Sequence, residues 1–262
     1  QALLSKEYGR QRAAQMNKEK NDPAIAPGDP YAIEGKTNPF KEYLQKWGAV
    51  DKGEVAAIDQ SYLDQVWLGT TSVEAADKDG WVVSITPSGG WVPACIAGRT
   101  GVGMSQRMQS FVCDPSLNPF NVVEPGKRPR VTLTPTMALK DGRPFLSFAV
   151  QGGDTQDQNL LQFFLNMVEF GMNVQEAAEA PNFNTYQFWL SLGGEDRKPK
   201  PGQIMIHEST PAWIRKELTQ KGYQLRFDSR TSGPINAIWF DWKHNSFWGG
   251  SSNHGEDYGI GW

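Results

Sequence analysis

Apolar residues among the first twenty positions, Leu3, Leu4, Tyr8 and Met16, fall roughly on one face of a helix. In a stretch rich in helix formers, that pattern predicts a helix over residues 1–20. Asn21-Asp22-Pro23 stops it, and residues 21–38, which hold three prolines, read as an extended connector. Two weaker helical patterns follow at residues 39–47 and 54–62. This first quarter reads as helical wrapping rather than as a self-sufficient domain.

The pattern changes at Gly69. Residues 70–77 and 81–86 flank Lys78-Asp79-Gly80, and Asp-Gly between strand-like runs is a strong hairpin signal. A second hairpin repeats the design, with residues 131–139, the turn Lys140-Asp141-Gly142, and residues 145–150. An apolar helix is expected at residues 157–170, with Gly171 as its C-terminal stop, and a short one at 174–180 before Pro181. A strand follows at 204–207. Ser209-Thr210-Pro211 then reads as an N-cap followed by a proline in the first helical turn. Strands at 223–227 and 237–241 complete the set. Strand pairs interleaved with helices imply an α+β fold of sheet layers with helices packed outside them.

Composition narrows the class. The 262 residues carry 26 basic and 29 acidic side chains, a net charge of −3, which gives no basic surplus for a general nucleic-acid binder. Ten Trp and 13 Phe mark a folded chain rather than a disordered one. No apolar run approaches the roughly 18 residues of a membrane span. Gln1, in place of an initiator Met, opens a polar stretch without the apolar region of a signal peptide, as expected of a segment cut from a longer polypeptide. Cys95 and Cys113 allow one bridge or two free thiols.

Several motifs fail on inspection. Gly35-Lys36-Thr37 resembles the end of a phosphate loop, but Pro30 stands where that loop needs glycine. Gly101-Val102-Gly103 opens a dinucleotide fingerprint that Gln106 breaks. His207, His244 and His254 share no ligand spacing and read as ordinary histidines, so no metal site is expected. Gly69-Thr70-Thr71 is more promising. A threonine hydroxyl needs an adjacent base, and a threonine that begins a chain has one in its own α-amino group, whose unperturbed pKa is about 8. The alternative is two β-branched residues beginning a strand.

The neighbouring segments favour the chemical reading. Thr70-Thr71-Ser72-Val73 with Asp77-Lys78-Asp79-Gly80, Pro125-Gly126-Lys127-Arg128-Pro129, and Leu133-Thr134-Pro135-Thr136 before Lys140-Asp141-Gly142 all resemble the small-subunit region of the γ-glutamyltransferase family. So do Gln151-Gly152-Gly153-Asp154 and the stretch from Glu169-Phe170-Gly171-Met172 through Gln175-Glu176-Ala177 to Ala180-Pro181. Leu3-Leu4-Ser5 with Arg12 is similar to the last helix of that family's large subunit. The resemblance implies a four-layer αββα N-terminal-nucleophile hydrolase fold, partly built by upstream residues. Residues 1–69 would then be the end of the large-subunit region plus a linker, and residues 70–262 the small catalytic region.

Residue by residue, the resemblance implies Thr70 as nucleophile and the Gly69–Thr70 bond as the site of autocleavage. Gly152 and Gly153 would supply oxyanion-hole amides, and Ser88 a hydroxyl that hydrogen-bonds the nucleophile. Substrate-binding positions fall at Gly90, at Ser110 within Gln106-Arg107-Met108-Gln109-Ser110, and at Val131-Thr132. These depart from the family's asparagine, acidic residue and paired serines, so amide cleavage is retained while the glutamyl clamp is not. Trp81 and Trp91 read as core packing, with an aromatic acyl pocket as the other option. Asp154 and Asp157 read as helix-start acids rather than an acid/base pair, and Lys127, Arg128 and Arg130 as a solvated basic loop.

The activity implied is that of an amidohydrolase or acyltransferase working through an acyl-enzyme, with no metal or organic cofactor. Its partners would be a small amide substrate and the upstream large-subunit polypeptide, which would also supply a guanidinium for the substrate carboxylate. An oligomer of processed heterodimers is a further expectation. Periplasmic or secreted placement follows from the family, with a cytoplasmic one as the alternative. The competing readings are an uncleaved, non-catalytic homologue that acts as a structural partner, and an acylase for a non-glutamyl acyl group, dicarboxylic or aromatic.

Overall fold

Both Asp-Gly hairpins form. Strands β1 (Val73–Ala76) and β2 (Val82–Ile85) pair antiparallel, with Val73 opposite Ile85, and Asp77 Oδ1 accepts the turn amides of Asp79 and Trp81. Strands β3 (Thr136–Lys140) and β4 (Arg143–Val150) are joined by Asp141 and Gly142 at φ 53° and 76°. Positive φ at both central positions suits the right-handed twist of a two-residue hairpin. Residues 131–135, expected to extend β3, lie outside the ladder. The structure, a computed structural model, describes residues 1–22, 27–42, 45, 69–89, 95–115, 118–188, 190–191, 199–253 and 257–261.

β4 continues into a four-stranded antiparallel sheet of order β3-β4-β8-β9, with β8 at Ile235–Asp241 and β9 at Ser246–Ser251. Alternation along β4 and β8 decides what each face of this sheet meets. Leu146, Phe148 and Val150 of β4, with Ile235 and Ala237 of β8, point to one side. There they pack on Leu160 and Phe163 of helix α3 (Gln156–Val168) and on Val174, Ala177 and Ala178 of α4 (Val174–Glu179). Asn173 begins α4 with a complete capping box closed by Glu176. The intervening residues Ser147 and Asn236 point the other way and hydrogen-bond Glu74 and Ser72 of the first hairpin segment. The layers therefore run helices, four-stranded sheet, β1–β2 hairpin.

A second sheet has order β5-β6-β7, from Phe183–Tyr186, Lys200–His207 and Gln224–Asp228. β6 and β7 are parallel, with helix α5 (Ala212–Gln220) between them in sequence. Pro211 is the N-cap of α5 rather than its first helical residue, and no side chain caps it. Gln158 and Gln162 of α3 hold β5 through its backbone. Their amides donate to the Thr185 and Phe183 carbonyls, and their side-chain oxygens accept from the same two residues' N–H groups.

The N-terminal helix is shorter than expected. A 3₁₀ turn at Ala2–Leu4 is followed by extended Ser5, whose hydroxyl accepts from Tyr8 N and starts a new helix, α1 (Lys6–Ala13). No residue of α1 is buried and Leu4 is 93% exposed, so nothing in the described packing carries the helix through the polar run to residue 20. The connector holds one helical turn, α2 (Pro30–Ile33), capped by Asp29. Of the helix expected at 39–47, Lys41, Glu42 and Gln45 are helical, whereas 54–62 lies outside the described residues. No helix among the described residues is long and apolar enough to cross a membrane.

Candidate active site

Thr70 immediately precedes the first hairpin and is brought against the chain that leaves it. Thr70 and Ser88 form an antiparallel bridge, Thr71 N donates to Pro87 O at 3.2 Å, and Thr70 Oγ1 donates to Ser88 Oγ at 3.0 Å. An open cleft of about 430 Å³ is lined by Gly69, Thr70, Thr71, Pro87, Ser88 and Gly89. Gly69 has φ 76°, a conformation that L side chains rarely adopt, immediately before the threonine. The hydroxyl pair expected from sequence is thus assembled in an accessible site.

A cation extends this network. Arg107 Nη2 donates to Ser88 Oγ at 2.8 Å and Nη1 to Thr132 Oγ1 at 3.0 Å. Its position is fixed from Gly89, whose carbonyl accepts from Gln106 N at 2.6 Å and from Ser105 Oγ at 3.3 Å. Arg107 is 9% exposed, Thr132 is 8% exposed, and the buried Nε of Arg107 has no hydrogen-bond partner. Burial draws the guanidinium below its ordinary pKa, while the field of Asp154 acts in the opposite direction. Arg107 was missed at the sequence level. It lies in the stretch read for an acidic residue, and only the Gly89 contacts carry it to Ser88.

The glycine pair follows β4. Gly152 and Gly153 have φ 142° and 51°, both in the region that favours glycine. Among the described residues neither N–H has a protein acceptor, which leaves two donors available. The turn is held from both sides. Gly233, just before β8, packs directly on the Gln151 backbone. Asp154 accepts from Arg130 Nη2 at 2.9 Å, from Ser191 N at 2.7 Å and from Ser191 Oγ at 2.5 Å. Arg130 therefore anchors its loop to the glycine turn rather than being simply solvated. The register Ala149–Asn236, with Asn236 Nδ2 donating to Ser72 Oγ at 3.1 Å, sets the end of β4 beside the Thr70 segment.

The other expected residues sort as follows. Ser110 is 2% exposed, its hydroxyl donates to Arg130 O at 3.0 Å, and its carbonyl accepts from Asn121 Nδ2. Gly90 and Trp91 lie outside the described residues, as does His254. Trp81 is 74% exposed at the hairpin end, against the expectation of core packing, because the turn projects it away from the sheet beneath. Cys95 and Cys113 are both free and exposed. His207 is engaged by Ser209 and the Ser229 carbonyl, and His244 pairs with Asp241 at 2.6 Å. Among the described residues no three His, Cys, Asp or Glu side chains cluster in a way that could hold a metal. Glu74, between the two sheets, accepts from Ser84 Oγ at 2.9 Å and from Ser147 Oγ. Burial nevertheless pushes its carboxyl up to about 7.

The family model described as gamma-glutamyltranspeptidase matches residues 1–262. The acylase ACY 1 proenzyme of Pseudomonas sp. strain V22 is 27% identical over 227 residues, covering 84% of this chain and 38% of the relative. The glutathione hydrolase proenzyme of Bacillus subtilis strain 168 is 26% identical over 267 residues, covering 98% of this chain and 39% of the relative. The chain thus spans about two fifths of the length of these curated relatives. A crystal structure of acivicin-inhibited gamma-glutamyltranspeptidase superposes with a TM-score of 0.61 at 27% identity, over 72% of this chain and 100% of the matched one. The layered α+β fold is that of the N-terminal-nucleophile hydrolases in this group.

Proposed function

This chain belongs to the gamma-glutamyltranspeptidase family, and from that premise we propose that it is the catalytic part of an autoprocessing N-terminal-threonine amidohydrolase or acyltransferase. The observation that carries the reading is the 3.0 Å hydrogen bond between Thr70 Oγ1 and Ser88 Oγ in an open cleft, directly after a glycine. Maturation begins when Thr70 Oγ attacks the Gly69 carbonyl carbon. The peptide C–N bond breaks, the nitrogen takes up the hydroxyl proton to become an amine, and an ester joins Gly69 to the Thr70 oxygen. Water then hydrolyses that ester, leaving a Gly69 carboxylate and a free Thr70 amine.

In turnover the α-amine takes the hydroxyl proton as Thr70 Oγ attacks a substrate amide carbonyl. Charge on the tetrahedral oxygen is met by the Gly152 and Gly153 N–H groups. Collapse expels the amine, which leaves with that proton, and the acyl group remains as an ester on Thr70. Water releases it as a carboxylic acid, or an acceptor amine takes it as a new amide. Ser88 orients the nucleophile, and Gly90, Ser110 and Thr132 stand at the family's substrate positions. Residues 1–69 would end the large-subunit region and 70–262 form the small one, in a heterodimer with the upstream polypeptide and as part of a larger oligomer. Val73, Val83 and Ile85 expose 50%, 41% and 51% on the outer face of the first hairpin, an apolar surface suited to that upstream chain.

The test is an intact-mass time course of the full-length protein beside its Thr70→Ala variant. Scission between Gly69 and Thr70 only in the unmodified protein supports the proposal. A folded, full-length protein that stays intact would defeat it.

A further inference from the structure

A buried guanidinium beside a nucleophile needs an anion, because desolvating a cation is costly unless an opposite charge answers it. Arg107 has none among the described residues. Among the described residues its guanidinium donates to the neutral hydroxyls of Ser88 and Thr132, its buried Nε is unmatched, and it makes no ion pair. The nearest acidic influence, Asp154, already has its two oxygens engaged by Arg130 and Ser191. Arg107 Nη2 lies two hydrogen bonds from the Thr70 hydroxyl, through Ser88, within reach of the far end of a short acyl chain.

We propose that Arg107 is the specificity-determining residue of this site and takes the free carboxylate of a short dicarboxylic acyl group that carries no ammonium. The inference rests on the amidohydrolase reading and deepens it by naming the acyl class. A guanidinium offers forked donors that match a carboxylate and are always charged. The same charge repels an α-ammonium, and no uncommitted carboxylate accompanies it among the described residues of the site. A γ-glutamyl group therefore presents its carboxylate together with an ammonium that Arg107 repels, whereas a glutaryl or succinyl group presents the carboxylate alone.

The experiment uses the full-length, processed enzyme with glutaryl-, γ-glutamyl- and butyryl-p-nitroanilide. A charge-assisted hydrogen bond of about 1.5–3 kcal/mol predicts that kcat/KM for glutaryl exceeds that for butyryl roughly 10- to 100-fold. Arg107→Gln should collapse that ratio mainly through KM, and Arg107→Lys should restore part of it. Equal use of glutaryl and butyryl, a preference for γ-glutamyl, or a ratio unmoved in Arg107→Gln would overturn the proposal. Should Arg107→Gln not mature, thermal shifts on the Thr70→Ala protein decide instead. Glutarate should stabilise it and butyrate should not. A glutarate shift without cleavage of any anilide keeps the anion site and defeats the amidase reading. Cleavage without a glutarate shift does the reverse.

Discussion

Replacing Glu74 by glutamine removes an ionisable group from between two sheets while keeping its shape and acceptor oxygen. In the unfolded chain the carboxyl ionises near 4.5, and in the fold burial raises it to about 7. Below pH 4.5 both states are protonated and the two proteins respond alike to pH. Between 4.5 and 7 the unfolded chain gives up its proton first, so the native protein loses stability as pH rises, and above 7 the loss is complete. At full burial the displacement would correspond to about 3 kcal/mol. Glu74 retains partial solvent access, and screening reduces the expected loss to about 1–2 kcal/mol. Urea denaturation of the full-length protein, with Thr70→Ala in both backgrounds to block the proposed scission, reads the difference at pH 4.5 and pH 8. Other titrating groups are common to both proteins and cancel. Glu74→Gln should gain about 1–2 kcal/mol relative to Glu74 between those pH values. A stability difference that does not change with pH would refute the claim that the intersheet carboxyl is strained by burial.

Two further outcomes follow from packing. Phe163 is 1% exposed and meets the Phe148 ring at 5.4 Å, so Phe163→Ala should destabilise the protein by about 3–5 kcal/mol in the same denaturation assay. Gly233→Ala would press a methyl into the Gln151 backbone, whereas Gly249→Ala meets nothing within 4 Å. Gly233→Ala should therefore slow the proposed Gly69–Thr70 scission by mass spectrometry, and Gly249→Ala should leave it close to the rate of the unmodified protein.

What could be read from the chain was what local rules decide. The turns at Asp79-Gly80 and Asp141-Gly142 and the apolar stripe of α3 are short-range signals, and each appears where expected. Strand β9 was missed because Gly249 and Gly250 deprive it of strand character. Gly250 is needed there because a side chain would meet Val174 Cγ2 at 2.8 Å. Strand β5 was missed because Asn184 and Thr185 read as loop residues, and its edge is completed by side chains from a distant helix. The site divides in the same way. Thr70, Ser88 and the glycine pair carried a recognisable signature. Arg107 did not, since its place beside Ser88 depends on two hydrogen bonds to Gly89 that no spacing announces.

The two glutamines on α3 have a consequence for how this molecule behaves in a crowded solution. A strand at the border of a sheet normally offers its outward amides and carbonyls to any passing extended chain. On β5 those groups, at Phe183 and Thr185, are already matched by Gln158 and Gln162, one helical turn apart, donor to acceptor and acceptor to donor. A helix has taken the place of a fourth strand. The three-stranded sheet is thereby sealed against strand addition on that border, and a newly folded copy has no ladder there on which another could propagate.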